Sequence, residues 1–312
     1  MALATFSVII PLFDKARFVI ATIETVLAQD HPALEIIVID DASTDGGADL
    51  VERTFGDRVT VVRQANAGPG PARNRGVEAA RGDWIAFLDA DDRWRSDHLA
   101  KLNGLATQFP AARTLSTRFA AGQAGQETRL VDHEPPTAAL LDYFIMPLDL
   151  PTMCSSCVAV ERATFRASGG FGAFVPGEDL DLWVRLALAG PVAASSATTA
   201  LYVRDTEGLM EQSHDAPPGY HLQPVFDTIA RVLDDPLHRA RHGALRAFRG
   251  SLLRRNLRQA LFQTDPASAR RYLADLRRFD GGSAGVIGLV AFLPRPILGA
   301  ALRLRQHVRT GR

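Results

Sequence analysis

The sequence predicts an α/β protein: a mostly parallel sheet flanked by helices, with a helical C-terminal extension. Two observations carry that expectation. Short apolar runs alternate with longer stretches whose apolar residues recur at helical spacing, and the early runs end in Pro or Asp. Strand–helix alternation of this kind builds βαβ units with parallel strands, and ligands bind beyond the carboxyl ends of such strands.

The elements follow in order. Residues 6–11 form an apolar run stopped by Pro11, a buried strand. Residues 16–29 place Phe18, Val19, Ile23, Val26 and Leu27 on one helical face. Residues 34–39 are a second strand, closed by Asp40 and Asp41. A helix is expected over 46–55, with Ser43 or Asp45 as its cap. A third strand covers 59–62, a helix opened by Gly and Pro covers 70–81, and a fourth strand covers 84–88. Asp14, Asp40, Asp41, Asn66 and Asp89 all follow strands and so share the ligand edge.

Beyond this the pattern loosens. A helix is expected at 95–109, a strand at 114–120, a mobile polar loop at 123–136 and a strand at 155–160. A helix follows at 179–189, a strand at 192–203 and a loop at 205–220. Helices are expected over 225–233, 237–262 and 266–279. The divisions read from this are 1–220, 221–280 and a basic amphipathic tail at 281–312.

The chain has 312 residues, 46% of them apolar, and a formal net charge of zero. That zero hides an asymmetry. Residues 236–312 hold 16 arginines and no lysine against 3 aspartates, a net of +13, so residues 1–235 carry about −13. A basic third suits an anionic surface. The two cysteines, Cys154 and Cys157, lack a second pair to complete a zinc site and exclude a disulfide scaffold; they read as small packing residues. No leader peptide is expected. Pro294 and Pro296 interrupt the apolar stretch at 283–302, leaving it short of the roughly 20 residues that span a bilayer.

The acidic run Asp89-Ala90-Asp91-Asp92 follows the fourth strand. Carboxylates this dense are tolerated when a hard cation sits among them, and Mg²⁺ takes one or two carboxylates and completes its shell with phosphates. The run therefore suggests a metal–diphosphate site. The plain alternative is a solvated turn capping the next helix.

Five ordered pieces resemble one family. They are Ser7-Val-Ile-Ile-Pro11 with Gln29 on the helix that follows; Asp40-Asp41-Ala-Ser43-Thr-Asp45; Asn66-Ala-Gly68 through Arg73-Asn74-Arg-Gly76; Asp89-Ala-Asp91-Asp92; and Gly177-Glu178-Asp179 after Gly169-Gly170-Phe171. Together they resemble the inverting nucleotide-sugar glycosyltransferases of family 2, whose GT-A fold is Rossmann-like. The resemblance covers roughly residues 5–205.

The resemblance implies a nucleotide site formed by Pro11, Asp14, Asp40, Asp41, Asn66, Arg73 and Asp89. Asp41 is the best candidate for the N–H groups of a uracil, thymine or guanine, and UDP is the expected carrier. It implies Mn²⁺ or Mg²⁺ at Asp91, with Asp89 on the ribose or near the metal and Asp92 as a second ligand. It implies a catalytic base at Asp179, with Glu178 as the alternative, and an acceptor that stacks on Trp183, although packing is the commoner job of a tryptophan there. Glu178 and Asp179 could instead be carboxylates favoured by a helix N-terminus, and Arg73 a structural ion pair.

Two departures stand out. Asp14 replaces the Asn the family often has, and the His often found near the metal has no counterpart closer than His214.

The implied partners are a nucleotide-sugar donor and a saccharide, glycolipid or other hydroxyl acceptor. Nucleic acid is not expected, since aromatics are not interleaved with the arginines. The expected location is cytoplasmic, peripheral on an anionic membrane face through 281–312. Two other readings remain open at this stage: a nucleotidyltransferase, for which Lys15 alone is thin support, and a non-catalytic sugar-nucleotide-binding subunit.

Overall fold

The computed structural model describes residues 3–132, 134–145, 153–173, 177–204, 222–262 and 266–279. The expectations placed on His214, on the loop at 205–220 and on the tail at 281–312 lie outside these residues. The chain divides into two compact units, residues 1–214 and 215–312.

The first unit opens with strictly alternating elements: β1 (Phe6–Leu12), α1 (Ala16–Leu27), β2 (Glu35–Asp40), α2 (Gly47–Phe55), β3 (Thr60–Arg63), α3 (Pro69–Ala79) and β4 (Trp84–Phe87). β1 pairs in parallel with β2 and β4, and β2 with β3. β1, β2 and β4 are covered on both faces, so they are nearly continuous apolar runs that bury almost every residue. Each fully buried Val, Leu, Ile or Phe side chain contributes about 1.5–3 kcal/mol relative to exposure.

The rest of the unit is mixed. It comprises β5 (Arg93–Trp94), α4 (His98–Gln108), β6 (Thr114–Gly122), β7 (Ala138–Leu141), β8 (Val158–Glu161), α5 (Arg162–Ala167), α6 (Glu178–Ala189) and β9 (Val192–Val203). The sheet runs β3-β2-β1-β4-β8-β6-β9-β5, with β7 also on β9. β8 lies antiparallel between β4 and β6, whereas β6 and β9 are parallel with an irregularity between Ser116 and Phe119.

Three expectations are corrected here. The cap of α2 is Gly46, and its neighbour Asp45 accepts from Gly47 N–H at 2.9 Å. Ser43 instead accepts from Asp14 N–H at 3.2 Å. The strand expected at 155–160 begins with a 3₁₀ turn, Ser155–Cys157, because the Cys157 N–H closes onto the Cys154 carbonyl. The loop expected to be mobile is tied down in its described part. Leu130 is buried, and Asp132 takes both Arg95 Nη2 at 3.0 Å and Thr198 N–H at 2.8 Å.

The second unit contains α7 (Gln223–Asp234), a 3₁₀ segment (Pro236–Arg241), α8 (His242–Phe262) and α9 (Pro266–Phe279). Leu245, Phe248, Leu252 and Leu253 are buried along α8, and Tyr272, Leu273 and Leu276 along α9, at the spacing that gives a helix one apolar stripe. The Arg249 guanidinium lies 4.7 Å over the Phe226 ring. Among the described residues no helix is long and apolar enough to cross a membrane.

Candidate functional site

A cavity of about 830 Å³ opens at the carboxyl ends of the parallel strands. It gathers Pro11, Asp41, Asn66, Arg73, Asp89, Asp91, Asp92, Glu178 and Asp179 from the residues expected on sequence grounds. Asp14, Asp40 and Trp183 are not among its lining residues.

The β2 end shows why two adjacent aspartates differ. Alternation turns Asp40 to the turn below, where its Oδ1 accepts from Ser43 N–H at 3.0 Å. Asp41 points to the cavity side. It accepts from Gln64 Nε2 at 2.7 Å, from Ala67 N–H at 2.9 Å and from Gly68 N–H at 2.8 Å. Three donors leave one of about four acceptor positions on this carboxylate for a ligand. Asp14, at φ +49°, accepts from the Thr44 N–H at 2.7 Å and shapes the loop rather than the cavity.

Arg73 is delivered by α3, whose start is set by Gly68 at φ +91° and Pro69. Its Nη2 donates to Asp89 Oδ1 at 2.6 Å, and Nη1 reaches Glu178 Oε1 at 3.5 Å. Phe171 supports the guanidinium from a ring centroid 5.1 Å away. Burial works against its charge, but the Asp89, Glu178 and Asp179 carboxylates outweigh burial and hold the cation. Its Nε is buried with no partner among the described residues, an unmet donor beside the cavity.

The acidic run separates into three roles. Asp89 pairs with Arg73. Asp91 pairs with Lys15 Nζ at 2.7 Å, and burial raises its pKa despite that ammonium. Asp92 borders the cavity, but its Oδ2 accepts from Ser156 Oγ and its Oδ1 from Val203 N–H at 2.9 Å. Burial, then Asp89 and Asp91, push its pKa well above the usual carboxylate range. Asp92 thus serves as an internal brace, with both carboxylate oxygens already accepting hydrogen bonds.

Among the described residues no three His, Cys, Asp or Glu side chains form a ready metal cage. The donor set on offer is Asp91 with Asp89 beside it, the one or two carboxylates that Mg²⁺ takes when phosphates complete its shell. The Lys15 ammonium on Asp91 marks where positive charge is accepted. The residues fit a divalent cation carried in with a diphosphate.

α6 supplies Glu178 and Asp179 at its first turn. Gly177 at φ +104° makes the entry, a conformation that suits glycine. The preceding loop is clamped to α3: Asn74 Nδ2 donates to Phe171 O at 2.8 Å and Asn74 Oδ1 accepts from Phe171 N–H at 2.9 Å. A Cβ on Gly70 would sit 2.5 Å from Gly172 O, so this contact needs a glycine. Burial raises the pKa of Asp179, partly offset by the Leu180 N–H and by Arg73. Burial and the neighbouring Asp179 raise that of Glu178. Glu178 is committed to Arg73, which leaves Asp179 the freer carboxylate.

Trp183 is 1% exposed and meets Phe171 edge-on at 5.9 Å. It packs in the core beside Phe171, one turn after Asp179 on α6. This burial favours packing, the commoner of the two jobs weighed for it.

Sequence reasoning missed several lining residues: Lys15, Cys154, Ser155, Ser156, Tyr202 and Arg204. The Tyr202 hydroxyl is pushed up to about 12 by burial and then by Asp92, Asp89 and Asp91. The usable signal was position: Lys15 follows β1, and Tyr202 and Arg204 lie at the end of β9, the ends that carry ligands. The 154–156 turn carried no such signal.

An α/β sheet with a nucleotide-sized acidic cavity at its strand ends, a helical dyad of carboxylates and a buried arginine defines the GT-A class. The model of Glycosyl transferase family 2 matches residues 7–169, and the chain belongs to that family. A 98-residue stretch is 41% identical to TuaG of Bacillus subtilis (strain 168), a glycosyltransferase assigned to teichuronic acid biosynthesis; it covers 30% of this chain and 39% of TuaG. The chain thus matches well under half the length of that relative. The fold is similar to S. aureus TarS 1-349 solved with UDP-GlcNAc, at TM-score 0.68 and 17% identity over 99% of this chain and 92% of that one. It is also similar to the mannosyltransferase PcManGT of Pyrobaculum calidifontis, solved with GDP-Man and Mn²⁺, at TM-score 0.60 and 21% identity over 99% and 83%.

Proposed function

We propose that the chain transfers a sugar from a nucleoside-diphosphate sugar, a UDP-sugar first, to an acceptor hydroxyl, with inversion and with Mn²⁺ or Mg²⁺. The product would be a polysaccharide, glycolipid or other glycoconjugate of the cell envelope. One observation carries the reading: Asp91, Arg73 and Asp179 line a single cavity, with the Arg73 Nε unpaired. The nucleotide-sugars in the two similar structures and the biosynthetic assignment of TuaG support it.

The residues divide the work. Asp41 offers its remaining acceptor position to a base N–H. Arg73 donates to the diphosphate while it stays anchored on Asp89. A divalent cation held by Asp91 and the phosphates would neutralise the leaving diphosphate as the C1–O bond breaks. Asp179 takes the acceptor proton as that oxygen attacks C1 from the opposite face, and its raised pKa makes it a stronger base than an ordinary aspartate.

Calorimetry with UDP, with and without Mn²⁺, tests the donor side. Wild type binds UDP in a metal-dependent way, and Asp91→Ala loses that dependence; unchanged dependence in the variant rejects the assignment. A product that retains the donor's anomeric configuration by NMR rejects inversion.

The reading extends to a peripheral place on an anionic membrane face, supported by the arginine-rich, apolar sequence of 281–312. Each basic residue near such a surface contributes about 1 kcal/mol. Sedimentation with anionic vesicles should therefore weaken when Arg303, Arg305 and Arg309 become Glu, and equal binding by both forms would remove the membrane from the proposal.

A further inference from the structure

Among the described residues, Cys154 and Cys157 are a pair of free thiols at the cavity that the transfer reaction does not use. Their Sγ atoms lie 3.2 Å apart, and Cys154 N–H also points at Cys157 Sγ, at 3.2 Å. The Cys157 N–H donates to Cys154 O at 3.1 Å. A turn closed by such an i to i+3 bond holds its ends within about 7 Å, close to the 4.4–6.8 Å span that a disulfide bridges. The two thiols also differ in access. Cys154 is half-buried and lines the cavity, whereas Cys157 is buried behind it.

Ser156 stands between them and is the residue through which the turn grips the acidic run. Its Oγ donates to Asp92 and accepts from Asp89 N–H at 3.1 Å. Its carbonyl accepts from Trp94 Nε1 at 2.6 Å. Ser156 thus bonds to both Asp89 and Asp92, so a covalent bond drawn across this turn would act on both carboxylates' surroundings.

We propose that Cys154 and Cys157 are a modification site: a peroxide oxidises them to an intramolecular disulfide that displaces Ser156 and disables the nucleotide-sugar cavity. The effect on nucleotide binding rests on the reading of the cavity given above; the disulfide itself does not.

The chemistry balances in two steps. The Cys154 sulfur attacks one peroxide oxygen, the O–O bond breaks, and the other oxygen leaves as an alcohol, or as water from hydrogen peroxide, with the thiol proton. Cys154 is then a sulfenic acid. The Cys157 sulfur attacks the Cys154 sulfur, an S–S bond forms, the S–O bond breaks, and hydroxide leaves as water with the Cys157 proton. Two thiols are oxidised and one peroxide is reduced. Any thiol reductant reverses the bond by exchange.

The test uses the full chain, reduced and then treated with hydrogen peroxide. Remaining thiols are capped with iodoacetamide and the peptide carrying both cysteines is weighed. UDP binding with Mn²⁺ is measured before oxidation, after it and after dithiothreitol, and tryptophan emission is recorded in parallel because Trp94 bonds to Ser156. The expected peptide lacks both thiol hydrogens and both caps, UDP binding weakens roughly tenfold or more, and dithiothreitol restores binding. In Cys157→Ala, dimedone should trap a sulfenic acid at Cys154 that wild type does not accumulate.

Thiols that stay cappable, or that pass only to sulfinic acid, overturn the proposal. So does a disulfide that leaves both UDP binding and tryptophan emission unchanged. If the reduced chain binds no nucleoside diphosphate at all, it is the functional reading that fails; the peptide mass and the emission still decide whether the disulfide forms and moves Ser156.

Discussion

Residues 6–94 and residues 114–204 share one sheet, yet local chemistry shapes the first and distant contacts shape the second. In the first, every polar site residue but Arg73 follows a parallel strand, and its partners are often near in sequence, as with Asp41 and the 64–68 loop. In the second, the position of the carboxylate dyad depends on long-range bonds. Asn74 holds Phe171 across 97 residues, and Asp92 holds Val203 across 111. The donor half should therefore tolerate damage to the base half better than the reverse.

The sharpest way to break that comparison is to remove one carboxylate from each half. Asp179→Asn should lower transfer by about 10²–10⁴-fold while UDP affinity stays near wild type. Asp91→Ala should lose both. Paired calorimetry and initial rates check this, and equal loss of UDP binding in both variants would erase the distinction between the halves.

Trp183→Ala comes next, because it empties a fully buried ring site beside Phe171. It should cost about 3–5 kcal/mol in denaturant unfolding. The milder Trp183→Phe should leave the acceptor KM unchanged, and a selective rise in that KM would return the residue to the acceptor site.

Asn74→Ala should cost about 1–3 kcal/mol, since it strands the Phe171 N–H and carbonyl. Its particular mark is a fall in kcat larger than any change in UDP affinity, as the dyad loses its clamp.

The smallest effect concerns pH. Asp92 has its folded pKa raised by burial and by Asp89 and Asp91. A raised acid binds more protons folded than unfolded, so its contribution to stability falls as pH climbs from the ordinary carboxylate value through the raised one. Asp92→Asn removes that term. Relative to wild type, the variant should gain in thermal midpoint at pH 8 and less at pH 5. Parallel melting curves, with an offset independent of pH, would show that Asp92 carries no such shift.

Legibility from sequence divides along the same line. The four parallel strands, their helices and the ligand edge followed from apolar runs and from the residues after them, because strands buried on both faces, as β1, β2 and β4 are, have to be nearly continuously apolar. For Trp183 the sequence left acceptor stacking and packing both open, because helical spacing does not show how deeply a residue is buried. Asp92 was offered as a second metal ligand beside Asp91, because nothing in a run of aspartates tells which one turns inward to a serine 64 residues away. The Ser155–Cys157 turn was missed for the same reason: its significance is the proximity of distant segments.

The first helix has a consequence of its own. Two side chains on α1 and one just past its end reach across to the segment after β4. Thr22 Oγ1 donates to Ala90 O at 2.7 Å, and Thr25 Oγ1 accepts from Trp94 N–H at 3.2 Å. Gln29 donates to Arg95 O at 2.8 Å and accepts from Leu99 N–H at 2.9 Å. Segments stitched this way open together or not at all. In native-state hydrogen exchange, the amides of α1 and of residues 88–99 should report a single opening free energy. The loop that carries Asp91 would then be as slow to unfold as the helix that braces it, although a loop at a binding edge is ordinarily among the first parts of a protein to loosen.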